Sequence, residues 1–139
     1  MGIWPALSHL GTAIEDIHIS DRGHFGMTEL NAKPLGLSAL GQVVELAQVG
    51  QVKILITGDI EPEAQEEIAK KYDLSGISIL KVPHHGSRFQ SEFFLSQISP
   101  EISLISVGES NSYGHPDLDF LEELRLMGSR VYRSDRDGP

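Results

Sequence analysis

Apolar and polar residues alternate along Ile17-His18-Ile19-Ser20, the period-two pattern of a half-buried strand. Asp21-Arg22-Gly23-His24 reads as a turn and Phe25 to Leu30 as the returning strand, making a hairpin. Ile3 to Leu10 predicts a short helix closed by Gly11. Residues 31–41 contain Asn31, Pro34, Gly36 and Gly41 and read as loop. Gln42 to Ala47 predicts a strand centred on Val43-Val44, turned by Val49-Gly50-Gln51 into Val52-Lys53-Ile54-Leu55-Ile56-Thr57, the most strand-like run of the chain.

From there the period changes. Pro62 suits the first turn of a helix, and Ala64, Ile68 and Tyr72 recur every four residues as its apolar stripe. Glu66 with Lys70 and Glu67 with Lys71 are favourable pairs on the wet side. Ile77 to Val82 predicts a strand, Ser91 to Ile98 a helix with Phe94, Leu95 and Ile98 inward, and Ile102 to Val107 another strand. Gly108 to Pro116 is a polar loop. Pro116 opens a last helix carrying Leu118, Leu121, Leu124 and Met127, which Gly128 closes before a short strand, Arg130 to Arg133. Alternating strands and helices after residue 52 predict an α/β architecture, with α+β as the alternative; the front is a hairpin and loop segment. The 139 residues suit a single domain.

Composition narrows the chemistry. There are no cysteines, so a metal would need His, Asp or Glu ligands. The net charge of −9 is spread over both halves, which is no basic footprint for nucleic acid; contact with it would rest on a local site, by analogy only. No run approaches the roughly 20 apolar residues of a membrane span. Met1-Gly2-Ile3-Trp4-Pro5 has no basic n-region, so neither membrane insertion nor a signal peptide is expected, and a cytoplasmic location is the default.

Three polar loops follow predicted strand ends: Thr57-Gly58-Asp59, His84-His85-Gly86-Ser87 and Tyr113-Gly114-His115-Pro116. The carboxyl ends of strands are where α/β sheets build sites. An Asp and several His there could bind zinc or manganese. Two have a plainer reading, Gly-Asp as a turn or helix cap and His115 as a cap of the last helix, and the His-His pair is more specific. Their succession argues for a site more strongly than any one does.

The runs Thr57-Gly58-Asp59-Ile60-Glu61, Lys81-Val82-Pro83-His84-His85-Gly86-Ser87, Ser106-Val107-Gly108, Tyr113-Gly114-His115-Pro116 and Tyr132-Arg133-Ser134-Asp135-Arg136-Asp137-Gly138 resemble the closing motifs of the ComEC family of DNA-uptake proteins. The resemblance runs from about residue 50 to 138. It implies the C-terminal half of a metallo-β-lactamase-like sandwich and a metal-dependent nuclease. By that resemblance Asp59 is the carboxylate between two metals, and His85 a metal ligand. His84 is a second ligand or a phosphate contact, and His115 faces the scissile phosphate or the metal. Tyr113 and Ser87 would contact the substrate or support the ligands. The fold class takes its remaining ligands from a His-x-His-x-Asp-His loop, and no such loop occurs here; His9, His18 and His24 are scattered.

Residues 1–51 look different. Ile3-Trp4, Thr12-Ala13-Ile14, Ile17-His18-Ile19-Ser20-Asp21-Arg22-Gly23-His24 and Ala39-Leu40-Gly41-Gln42-Val43-Val44-Glu45-Leu46 resemble an internal piece of UbiH-type flavin monooxygenases. Without that family's dinucleotide fingerprint no FAD is expected to bind. The two resemblances meet near Val49-Gly50-Gln51, which predicts a chimera of a 1–51 and a 52–139 segment with no native activity. The alternative is a metal-dependent phosphodiesterase with an incomplete site using Asp59, His84, His85 and His115. A half sandwich exposes an apolar face, so self-association as a homodimer or higher oligomer is expected.

Overall fold

A computed structural model describes residues 17–19, 25–27, 33–37 and 43–138, with side chains from Val44 onward. The expected helix over Ile3–Leu10 and the turn at residues 21–24 lie outside the described residues, as do the side chains of His9, His18 and His24.

β1 (Ile17–Ile19) and β2 (Phe25–Met27) pair antiparallel, with Ile17 opposite Met27, which is the hairpin the alternation predicts. Six further strands form one sheet in sequence order: β3 (Lys33–Leu37), β4 (Val43–Val49), β5 (Val52–Thr57), β6 (Ile79–Lys81), β7 (Ile102–Ile105) and β8 (Arg130–Arg133). The first three are antiparallel neighbours, whereas β5 to β8 run parallel. Parallel neighbours need crossovers. These are α1 (Pro62–Lys71), α2 (Glu92–Ile98) and α3 (Leu118–Leu126). The chain is therefore α/β, as its alternating pattern predicts.

Helix ends follow from local chemistry. Pro62 stands in the first turn of α1, with Lys70 and Lys71 at its C-terminal end, where cations complement the helix dipole. Ser91 and Asp117 cap α2 and α3 by accepting from the N–H groups of Phe94 and Phe120. The three helices share one face of the sheet. Ile68, Phe94, Leu95, Ile98, Phe120, Leu121 and Leu124 pack with Val44, Leu55, Leu80, Val82 and Ile105 in one core. The opposite face carries Ala47, Ile54, Ile79, Ile102 and Leu104, also buried, as a sheet covered on both sides requires.

Two expectations need correcting. Residues 31–41 are not all loop, because Lys33–Leu37 forms β3. Pro34 and Gly36 are tolerated because β3 is an edge strand and its register shifts between them. Pro116 does not open the last helix, which starts at Leu118 with Asp117 as its cap; Leu118 is 74% exposed, because at about 100° per residue it falls outside the arc shared by Phe120, Leu121 and Leu124. Tyr72 lies just past α1 as its C-terminal cap in extended backbone. No helix among the described residues is long and apolar enough to cross a membrane.

Candidate functional site

Because β5, β6 and β7 are parallel, the three motif loops leave the same edge of the sheet. The loop after β5 is held from below: Thr57 Oγ1 donates to the Lys81 carbonyl at 2.6 Å, and the Gly58 carbonyl accepts from the His84 N–H at 3.3 Å. Ile60 is buried and anchors the segment between Asp59 and Glu61.

The loop after β6 has a rare backbone. His84 (φ 48, ψ 47), His85 (φ 54, ψ 25) and Gly86 (φ 78) are left-handed in succession. Each non-glycine residue there costs about 1–2 kcal/mol. The turn leaves the two imidazoles edge to face, 6.4 Å between centroids and 72° between planes, with different partners. His85 Nδ1 lies 2.7 Å from the Ser106 carbonyl. A carbonyl only accepts, so Nδ1 carries a proton and Nε2 is the ring nitrogen left for other partners. That Nε2 is 3.4 Å from Asp59 Oδ1. His84 turns instead toward Glu61, with Nδ1 2.9 Å from Oε1. Nδ1 makes no hydrogen bond, so the two atoms are close but poorly aligned.

The third loop closes the site. The Asp117 N–H donates to the Gly86 carbonyl at 2.9 Å, tying the second loop to the third. The Asn111 side chain donates to the His115 carbonyl at 2.8 Å and accepts from the His115 N–H at 3.1 Å. The ring centroids of His84 and His115 are 5.5 Å apart. Tyr113 stacks on His115 at 6.3 Å and 19° and is otherwise exposed. Burial, chiefly, lowers the His115 pKa below its usual range. The neighbouring His84 and His85 push the same way, against the opposing pull of Asp117 and Asp59.

The structure thus brings Asp59, His84, His85, His115 and Tyr113 to one sheet edge. Ser87 is buried, and its hydroxyl accepts from the Phe89 N–H, so it shapes the turn. His115 does not cap the last helix; Asp117 does.

Two ligands about 2.1 Å from a tetrahedral ion stand roughly 3.4 Å apart. The His85–Asp59 pair has that spacing, and the Ser106 carbonyl orients the imidazole as carbonyls orient metal-bound histidines. Yet among the described residues no group of three or more His, Asp or Glu converges to hold an ion. The pair fits one edge of a metal site, a donor short of the usual three for catalytic zinc.

Residues outside the motifs shape this site. Gln65 is buried at 0% exposure and Gln90 bonds to it. Ser134 holds Val107 through its hydroxyl, which accepts from the Val107 N–H and donates to its carbonyl, both at 2.8 Å. One signal was available: Gln65 lies three residues before Ile68, on the same helix face, and a polar residue on an apolar stripe requires partners.

No family model matches the chain. It is similar to ComE operon protein 3 of Bacillus subtilis, 35% identical over 92 residues, which are 66% of this chain and 12% of that protein. It is 34% identical over 91 residues to competence protein ComA of Neisseria gonorrhoeae, covering 64% of this chain and 13% of that protein. Recombination protein 2 of Haemophilus influenzae is 36% identical over 89 residues, 63% of this chain and 11% of that protein. These are relatives of the ComEC type that the motifs anticipate, and the match spans about an eighth of their length. The comparisons lend no support to the flavin-monooxygenase resemblance of residues 1–51 or to a junction of two fragments.

Proposed function

We propose that the chain carries part of a metallo-β-lactamase-like hydrolase of the DNA-uptake type, acting on phosphodiesters. The observation that carries this reading is the His85–Asp59 pair, 3.4 Å apart, with His85 fixed by Ser106 in the tautomer a metal ligand needs. A divalent zinc or manganese ion held there would supply Lewis-acid polarisation of a phosphoryl oxygen. His84 and His115, facing each other across two loops, would offer ring N–H groups to phosphate oxygens. Tyr113, stacked on His115, would border the substrate.

The test is calorimetric titration of zinc and manganese into the wild-type protein, His85→Ala and Asp59→Asn, with manganese-dependent hydrolysis of a generic phosphodiester in parallel. Heats that vanish in both variants, with hydrolysis lost alongside, support the reading. Equal heats in all three proteins reject it.

A second reading is a folded chain without native activity, assembled from unlike 1–51 and 52–139 segments. The absence of a third convergent donor among the described residues favours it. It predicts that replacing His84 and His85 together leaves both melting temperature and activity unchanged. Self-association stays a proposal of either reading, although the sheet face it was expected to cover is already buried within the chain at Ala47, Ile54, Ile79, Ile102 and Leu104; sedimentation at tens of micromolar tests it.

A further inference from the structure

The left-handed turn at His84–Gly86 is bracketed by one side chain. Gln90 Nε2 donates to the Pro83 carbonyl at 3.1 Å and to the Ser87 carbonyl at 2.9 Å. Those carbonyls belong to the residues immediately before and after the three with positive φ. Backbone in this region persists only where its surroundings over-determine it, and a bond at each end of the turn does so.

The orientation of that amide is itself fixed. Gln90 Oε1 accepts from Gln65 Nε2 at 3.0 Å. Gln65 Nε2 also donates to the Ile60 carbonyl at 2.9 Å, and Gln65 Oε1 accepts from the Ser91 N–H at 2.8 Å. A flipped Gln90 would set its oxygen against two carbonyls and its NH2 against the donor of Gln65. Only one orientation satisfies every group. The relay therefore runs from Ile60, flanked by Asp59 and Glu61, through Gln65 and Gln90 to both ends of the twin-histidine turn.

We infer that Gln90 is a positioning residue, with Gln65 behind it. It holds the His84–His85 turn so that His85 Nε2 faces Asp59 while His84 faces Glu61. Its consequence for metal binding rests on the reading of His85 and Asp59 as ligands; its consequence for ring geometry does not.

The experiment uses the metal-free chain, 15N-labelled. In wild type, the His85 ring nitrogens give one sharp set of signals with Nδ1 protonated against the Ser106 carbonyl, and the Gln90 side-chain NH2 exchanges far more slowly than that of exposed Gln97. In Gln90→Leu and Gln90→Glu, the two ring nitrogens of His85 shift toward averaged values. The methyl signals of core residues Leu124 and Leu55, away from the turn, stay in place. Zinc affinity then falls about tenfold or more, the scale of losing support around a ligand. Unchanged His85 ring signals in a folded variant overturn the inference. If neither variant folds, the wild-type exchange measurement decides, and a Gln90 amide as fast as Gln97 overturns it. Shifted rings with unaltered zinc binding uphold the positioning role and count against the ligand reading.

Discussion

Gly86 and Pro116 approach so closely that a Cβ on the glycine would stand 2.7 Å from the proline Cβ and 3.3 Å from its Cα. The contact joins the loop after β6 to the loop after β7, beside the bond from the Asp117 N–H to the Gly86 carbonyl. Gly86 also has φ 78, where a side chain is strained. Gly86→Ala incurs both costs at once. The expected loss is roughly 2–4 kcal/mol, from the left-handed backbone and the steric overlap, read by urea denaturation. The His84–His115 ring contact should weaken with it. A loss under about 0.5 kcal/mol, the level of ordinary surface substitutions, would show that the loops part easily.

Ser134 acts on the site at one remove. Its hydroxyl closes both hydrogen bonds on Val107, and its own N–H donates to the Ile105 carbonyl. Between Ile105 and Val107 lies Ser106, whose carbonyl orients His85. Ser134→Ala should cost about 1 kcal/mol or somewhat more for the two lost bonds and broaden the His85 ring signals. Ser134→Thr should preserve both. Equal spectra for the Ala variant and wild type would count against the link.

How much of this could be read from sequence depends on how local each determinant is. Gly58-Asp59 and His84-His85 are legible because each is a short polar run just after an apolar one, Tyr113-Gly114-His115 because it ends the polar loop that follows another, and parallel strands bring such runs to one edge. β3 is hidden because Pro34 and Gly36 are loop signals, which an edge strand with a register shift accommodates. Leu118 misleads because its spacing to Leu121 is helical, while the arc centred on Phe120, Leu121 and Leu124 leaves it on the wet side. The pairing of Gln65 with Gln90 spans 25 positions, and no local pattern announces it. The left-handed turn at His84 and His85 is also silent in sequence, since neither residue is a glycine.

Lys81 is buried on β6, on the sheet face that also carries Ile79 and Leu104. Burial holds its pKa below the ordinary 10.5, and the charge of Asp59 partly offsets this. Below the folded pKa both states are protonated, and the full cost of the buried charge is present. As pH rises from there toward 10.5, the unfolded chain binds more protons than the folded one, so stability increases. Lys81→Met should therefore stabilise the protein at pH 7, on the order of 1 kcal/mol. Its advantage should shrink as pH approaches 10.5. Urea midpoints at pH 7, 9 and 10.5 read this directly; a gap that does not narrow would remove burial of the charge as the cause.

Gln65 makes the strongest stability prediction, because it is fully enclosed and fully satisfied. Its amide meets the Ile60 carbonyl, the Gln90 oxygen and the Ser91 N–H. Ser91 is itself buried and is the N-terminal cap of α2, so its N–H has no ready access to water. Gln65→Leu keeps similar volume and adds apolar surface, yet strands that N–H and the Ile60 carbonyl. An orphaned buried group costs about 1–3 kcal/mol, so the change should destabilise by roughly 2–4 kcal/mol despite its added hydrophobicity. Gln65→Glu retains the acceptor for Ser91 but loses both donations and buries a charge, so it should be at least as harmful at pH 7 and recover as pH falls and the carboxyl is protonated. Chemical denaturation of both variants at pH 5 and 7 measures this. A Leu variant as stable as wild type would mean that the network is satisfied by solvent and does not join α1 to the histidine turn.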